Sequence, residues 1–177
     1  MNLGLKKDEV RLVDYTSEWN EEFIRVKKEI IANTHLKENQ VEHIGSTAIK
    51  SMSAKPILDI LIGVDDLQNF NRTIISGLKK VGFLQLRVKI PKKIIFAKFT
   101  DKTHQEKTHY IHLVELEKEH WNNLIFFRDY LNSNETARKQ YLEVKLEYLK
   151  KASTEINEYT NYKEAFVKNI LKMRQPI

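Results

Sequence analysis

The sequence predicts an α+β (mixed α/β) domain in which a mixed β-sheet is flanked by helices and followed by a helical C-terminal third. Three observations carry this expectation. Apolar runs with strand character recur between residues 41 and 115, and the pattern changes to helical spacing from Lys118 onward. Only five glycines and three prolines interrupt 177 residues, so no linker divides the chain. A single domain over 1–177 is expected, with a sheet-containing core over about 1–116 and a helical part over about 117–177.

Residues 9–15, EVRLVDY, alternate apolar and polar side chains and predict a short strand or an extended arm. Ser17 is placed to cap a helix on which Trp19, Phe23, Val26, Ile30 and Ile31 share a face. A strand over 41–44 leads into Gly45-Ser46-Thr47, a helical turn follows at about 47–53, and PILDILIGV supplies an apolar strand behind Pro56. Asp65 or Asp66 is placed to cap a helix carrying Leu67, Phe70, Ile74, Ile75 and Leu78, which Gly82 closes. FLQLRV, KIIFAKFT and THYIHLVEL read as three strands joined by lysine-rich turns. EHWNNLIFFRDYLNSN, ETARKQYLEVKLEYLKKAS and NEYTNYKEAFVKNILKMR read as helices, with Trp121, Leu124, Phe127, Leu131, Tyr141 and Leu149 as core and cover for the sheet.

Composition excludes several classes of function. There is no cysteine, which removes disulfides and thiolate metal sites, so any metal depends on oxygen or imidazole ligands. No window approaches the roughly 20 apolar residues of a membrane span, and the N-terminus lacks the apolar core of a signal peptide. A soluble, cytoplasmic protein without a membrane partner is expected. The formal charge of +6 favours polyanionic partners, although interspersed lysines most often form a solvated surface. Arg87 to Lys107, with Phe96, Phe99 and Tyr110 nearby, is the one stretch suggestive of nucleic acid. Strand alternation assigns its aromatics to the core and its lysines to water, so nucleic acid is not the favoured partner.

The chemistry centres on VEHIGSTAIKSMSAKPILDILIGV, where Asp59 stands in a strand otherwise built of Ile and Leu. A carboxylate in such a strand is costly unless it is hydrogen-bonded, paired or open to solvent. If strands 41–44 and 57–64 are neighbours, Gly45, Ser46, Thr47 and Asp59 meet at one end of the sheet. Gly45 then admits close backbone approach, Ser46 and the adjoining N–H groups offer donors to phosphate oxygens, and Lys55 adds a positive charge. Asp59 becomes a candidate ligand for Mg²⁺, which binds one or two carboxylates together with substrate phosphates. The structural alternatives are an ordinary capping turn and an Asp59–Lys55 ion pair. Glu42 on the first strand and His112 on HYIHLV are further candidates. Alternation puts Tyr110 and His112 on one face and His109 on the other, so the two histidines cannot share a cleft. His43 reads as structural.

The string HIGSTAIKSMSAKPILDI resembles the signature of the GrpB family, which has the nucleotidyltransferase fold of polymerase β-like and aminoglycoside nucleotidyltransferases. In that family the string commonly reads His-Ile-Gly-Ser-Thr, a small residue, Val or Ile, Pro-Gly-Leu, then Ala-Lys-Pro and Asp-Ile. VRLVDYTSEWNEEF, THYIHLV, FFRDYL, YLEVK and YTNYKEAF extend the likeness over nearly the whole chain. In active members of the wider superfamily, Gly-Ser contacts nucleotide phosphates, and carboxylates two residues apart on the following strand hold divalent metal with a third from a later strand. Here Asp59 is present, Leu61 stands at the partner position, and His112 lies near the third place. Lys50 and Ser51 stand where Pro-Gly is common, so the turn is expected to differ in shape. Arg128, Lys145 and Lys163 match charged positions of the family's helices and are candidates to bind a phosphate or acidic group at the cleft edge, with ordinary ion pairs as the alternative. The resemblance implies Mg²⁺-dependent nucleotidyl transfer from a nucleoside triphosphate to an acceptor, with Asp59 and His112 catalytic and Asp59, Glu42 and His112 holding metal. The alternative is a non-catalytic module that binds a nucleotide or coenzyme A-related small molecule.

Overall fold

The elements run in the order β1 (Leu5–Lys6), α1 (Glu18–Thr34), β2 (Val41–Ile44), β3 (Leu58–Val64), α2 (Thr73–Lys80), β4 (Leu84–Gln85), β5 (Ile94–Phe99), β6 (Glu106–Glu115), α3 (Glu119–Ser133), α4 (Glu135–Lys150) and α5 (Ile156–Leu171). They are seen in a computed structural model that describes residues 3–6, 9–150 and 156–174, without the side chains of 156–162. The described strands form one sheet in the order β2-β3-β6-β5-β4, and β1 pairs with β6. Only β3 and β6 are parallel, so the sheet is mixed as expected.

Both faces of the sheet are covered, which is why β3 reads as a nearly unbroken apolar run. One face buries Leu58, Ile60, Ile62, Phe96, Ile111 and Leu113 against Trp19, Phe23, Val26 and Ile30 of α1 and Ile74 and Leu78 of α2. The other buries Ile44, Leu61 and Val114 against Trp121 of α3. A third cluster, made by Ile49, Met52, Leu131, Ala137, Tyr141 and Ile170, fastens the segment after β2 to the three C-terminal helices. Full burial of each large apolar side chain stabilises by roughly 1.5–3 kcal/mol. Phe96 lies in the core, in keeping with its assignment by strand alternation.

Several local expectations are corrected. Residues 9–15 form no strand beyond a bridge between Val13 and Ala54, and the edge strand lies earlier, at Leu5–Lys6. Ser17 occupies the N-cap of α1 without a side-chain capping bond, while Thr16 Oγ1 accepts the Glu18 N–H at 3.3 Å. Asp66 does not open α2. Its carboxylate closes a turn by accepting the N–H groups of Gln68 at 2.7 Å and Asn69 at 3.3 Å, a local arrangement that competes with helix. Leu67 and Phe70 therefore reach the core from a non-helical segment, and the helix waits until Thr73, whose N–H donates to Asn71 Oδ1 at 2.9 Å. Gly82, at φ 95°, lies just past its end, and the Phe83 N–H returns to the Leu78 carbonyl at 2.9 Å. The turn expected at 47–53 shortens to a single 3₁₀ turn over Ser46–Ala48, and FLQLRV yields only Leu84–Gln85 as strand. No described helix is long and apolar enough to cross a membrane.

Candidate functional site

The antiparallel register of β2 and β3 sets Ile44 opposite Asp59, so the chain leaves β2 beside the acid. Gly45 has φ 72° and ψ −173°, a region that essentially only glycine occupies. A Cβ at this position would also collide with Asp59 Oδ2. The glycine is thus required both by its backbone and by its neighbour. The parallel register of β3 and β6 sets Asp59 opposite Tyr110 and Leu61 opposite His112, which brings the four onto one face. His112 Nε2 stands 3.2 Å from Asp59 Oδ1. The result is a cleft of about 120 Å³ lined by Ser46, Thr47, Lys55, Ile57, Asp59, Tyr110 and Lys163. Asp59 is tolerated in its apolar strand because its carboxylate opens onto this cleft.

Not every candidate residue reaches it. Thr47 lines the cleft, but its Oγ1 is taken by His43 Nε2 at 3.0 Å. His43 is structural as expected: it stacks on Phe23 with ring centroids 4.8 Å apart, and burial pushes its pKa down to about 4. Lys145 is wholly buried behind Ser46, donating to the Ser53 carbonyl at 2.6 Å and reaching Ser46 Oγ at 3.4 Å. Its ammonium also lies 4.9 Å above the Tyr141 ring. Burial and the charge of Lys163 lower its pKa to about 7. Lys145 therefore supports the glycine-serine turn instead of lining the cleft.

For Arg128 the ion-pair alternative holds in place of phosphate binding. Its Nη1 donates to Glu42 Oε2 at 2.6 Å and to the His43 carbonyl at 2.9 Å, and its Nε donates to Asp129 Oδ1 at 2.7 Å. It ties α3 to β2 and does not line the cleft. From the same helix, Asn132 Nδ2 donates to the Ala48 carbonyl and Oδ1 accepts the Lys50 N–H, each at 3.0 Å, so α3 clamps the turn. His109 faces the opposite side of the sheet, 3.3 Å from Glu22, and burial lowers its pKa to about 4. Sequence reasoning did not single out Tyr110 or Ile57 for the site. Tyr110 was within reach, since it alternates with His112 on β6.

The electrostatics of the cleft are dominated by amines. Burial, with a contribution from Lys163, pushes the Lys55 pKa down to about 8 against the opposing pull of Asp59. Burial pushes Lys163 to about 8, again opposed by Asp59. Lys93 is lowered by burial and feels the same acid. These surroundings do not fit a protein-held Mg²⁺, which favours several oxygen ligands in octahedral array. Leu61, at the place of a second acid, is fully buried and packs in one cluster with Trp121. His112 presents nitrogen and is engaged by Asp59, while Glu42 is taken up by Arg128. Among the described residues no group of three or more His, Cys, Asp or Glu side chains could hold a metal ion. The expected Asp59, Glu42 and His112 metal set is therefore not assembled, although Asp59 and His112 do meet.

The family model described as GrpB protein matches residues 9–173. The glutamate-rich protein GrpB of Alkalihalophilus pseudofirmus is 41% identical over 172 residues, covering 96% of this chain and 98% of that protein. A UPF0157 protein of Halalkalibacterium halodurans is 29% identical over 167 residues, covering 92% of this chain and 81% of that one. The crystal structure of the conserved protein GrpB from Enterococcus faecalis superposes with a TM-score of 0.74 at 26% identity, over 92% of this chain and 95% of that one. The Cid1 poly(U) polymerase with MgGTP bound has a TM-score of 0.51 at 11% identity, over 75% of this chain and 43% of its own, a likeness of fold alone. The nucleotidyltransferase-like core expected from the sequence is present.

Proposed function

Since the chain belongs to the GrpB family and gathers lysines beside a glycine-serine turn in a nucleotidyltransferase-like core, we propose that it binds a phosphorylated small molecule, a nucleotide or a coenzyme A-related compound. One phosphate sits among Ser46, Lys55 and Lys163. The observation that carries this reading is the composition of the cleft wall: two lysines, a serine and a threonine around one acid in about 120 Å³. Pockets that enclose a whole ligand usually measure about 300–1,000 Å³, so this one suits a phosphoryl group whose organic remainder lies outside the cleft. Ammonium-to-phosphate hydrogen bonds are charge-assisted and stronger than neutral ones, which gives Lys55 and Lys163 the main energetic role. Tyr110 and Ile57 supply the less polar wall.

Recognition is favoured over nucleotidyl transfer. The strand face that would carry paired acids holds Asp59 and the buried Leu61, so the carboxylate pair that positions cations in phosphoryl transfer is absent from β3. Isothermal titration of the purified chain with ATP, ADP, AMP, coenzyme A and inorganic phosphate tests the reading. At least one is expected to bind saturably, and Lys163→Met is expected to weaken it by about tenfold or more. A chain that binds none of them, or whose affinity ignores Lys163→Met, refutes the proposal.

A further inference from the structure

We propose that lysine ammonium groups take the place of the divalent cation at this site, so that its ligand is a phosphate dianion bound without metal. The inference rests on the phosphate-binding reading and goes beyond it by naming the ionic form of the ligand and the sign of the acid's contribution. Where carboxylates dominate a phosphoryl site, they collect cations and the cations meet the phosphate. Here the balance is reversed. Lys55 and Lys163 line the cleft around one carboxylate, and Lys145 stands directly behind Ser46. A second carboxylate at Leu61 would be buried without a partner, because that position is sealed in the cluster of Ile44, Val114 and Trp121. The nitrogen beside the acid belongs to His112, which competes with any cation for Asp59 Oδ1.

Asp59 keeps a different task in this arrangement. Its charge opposes the effect of burial on Lys55, Lys93 and Lys163, holding them nearer the protonated form. Once those amines are protonated for other reasons, the acid only repels an incoming phosphate. The two kinds of site therefore answer the same substitution with opposite signs. Asp59→Asn removes the ligand from a metal-dependent site, but removes a like charge from a lysine-based one.

The test is isothermal titration with AMP and with inorganic phosphate at about pH 7, where AMP is largely and phosphate substantially the dianion and Lys55 and Lys163 remain mostly charged. Wild type is compared in EDTA and in excess Mg²⁺, and Asp59→Asn is measured in EDTA. Affinities within about twofold across the two wild-type buffers and about threefold or more tightening in Asp59→Asn are expected. Wild-type binding that requires Mg²⁺, or an affinity that is unchanged or weaker in Asp59→Asn, overturns the inference while leaving the phosphate-binding reading intact. Absence of phosphate and AMP binding in both buffers, together with silence of the other phosphorylated compounds, removes the reading itself. The wild-type comparison needs no variant and decides the matter if Asp59→Asn does not fold.

Discussion

At the scale of single residues, Ser51 shows a local cost that the sequence only hinted at. It stands where the family commonly has glycine and adopts φ 58°, the left-handed region that side chains disfavour. The departure from Pro-Gly therefore leaves a glycine-like backbone in place without the glycine. Ser51→Gly is expected to raise stability by about 0.5–1 kcal/mol, read as a shift in urea midpoint at constant slope. Asp59 was legible for the opposite reason: an acid among Ile and Leu demands an explanation, and a cleft is one of the few available. Family likeness pointed to Lys145, but its buried place was not legible, because a lysine in the middle of a charged helix looks like any solvated lysine until the neighbouring helices and the Ser46 turn close over it.

At the scale of elements, α3 positions the site without entering it. Trp121 packs with Leu61, Asn132 holds the turn at Ala48 and Lys50, and Arg128 joins Glu42 and the His43 carbonyl. Arg128→Gln leaves a half-buried carboxylate and a main-chain carbonyl without their partner. It is expected to lower unfolding free energy by roughly 1–3 kcal/mol in chemical denaturation. Phosphate affinity is expected to stay within about twofold in the same variant, which separates a structural arginine from a ligand-binding one. The helix itself was plain from apolar spacing, but the destination of Arg128 was not, because Glu42 is remote in sequence and neither residue is unusual for a surface. The start of α2 was misplaced for a related reason: Asp66 offers its carboxylate to a turn as readily as to a helix, and spacing alone does not choose.

At the scale of the molecule, buried bases make stability rise with pH. His43 and His109 titrate at about 4 in the folded chain, whereas an unfolded histidine titrates near 6.5. Between those values the unfolded state binds more protons, so stability is lost as pH falls through that window, by roughly 3 kcal/mol for each histidine. The lysines act with the same sign at higher pH: with Lys145 at about 7 and Lys55 and Lys163 at about 8, unfolding takes up protons until the ordinary lysine range is reached. Thermal unfolding from about pH 5 to about pH 9 is expected to show rising stability without phosphate, and a shrinking stabilisation by added phosphate above about pH 8, as the amines that hold it lose their charge. A stability maximum near neutrality in the ligand-free chain would contradict this assignment of buried charge. The class of fold was legible from the alternation of patterns and from the family likeness, but the adjacency of β3 and β6 was not, because the two strands are joined by no local signal. That adjacency also sets an order of assembly. The hairpin-like pairing of β2 with β3 can form early from local contacts, whereas Leu58 meets His109 only after a segment of about 50 residues has been looped out, with its attendant entropy. During synthesis the glycine turn and its acid therefore emerge well before the tyrosine and histidine that complete the wall, and the last lysine arrives later still with α5, so the pocket is among the final features of the nascent chain to mature.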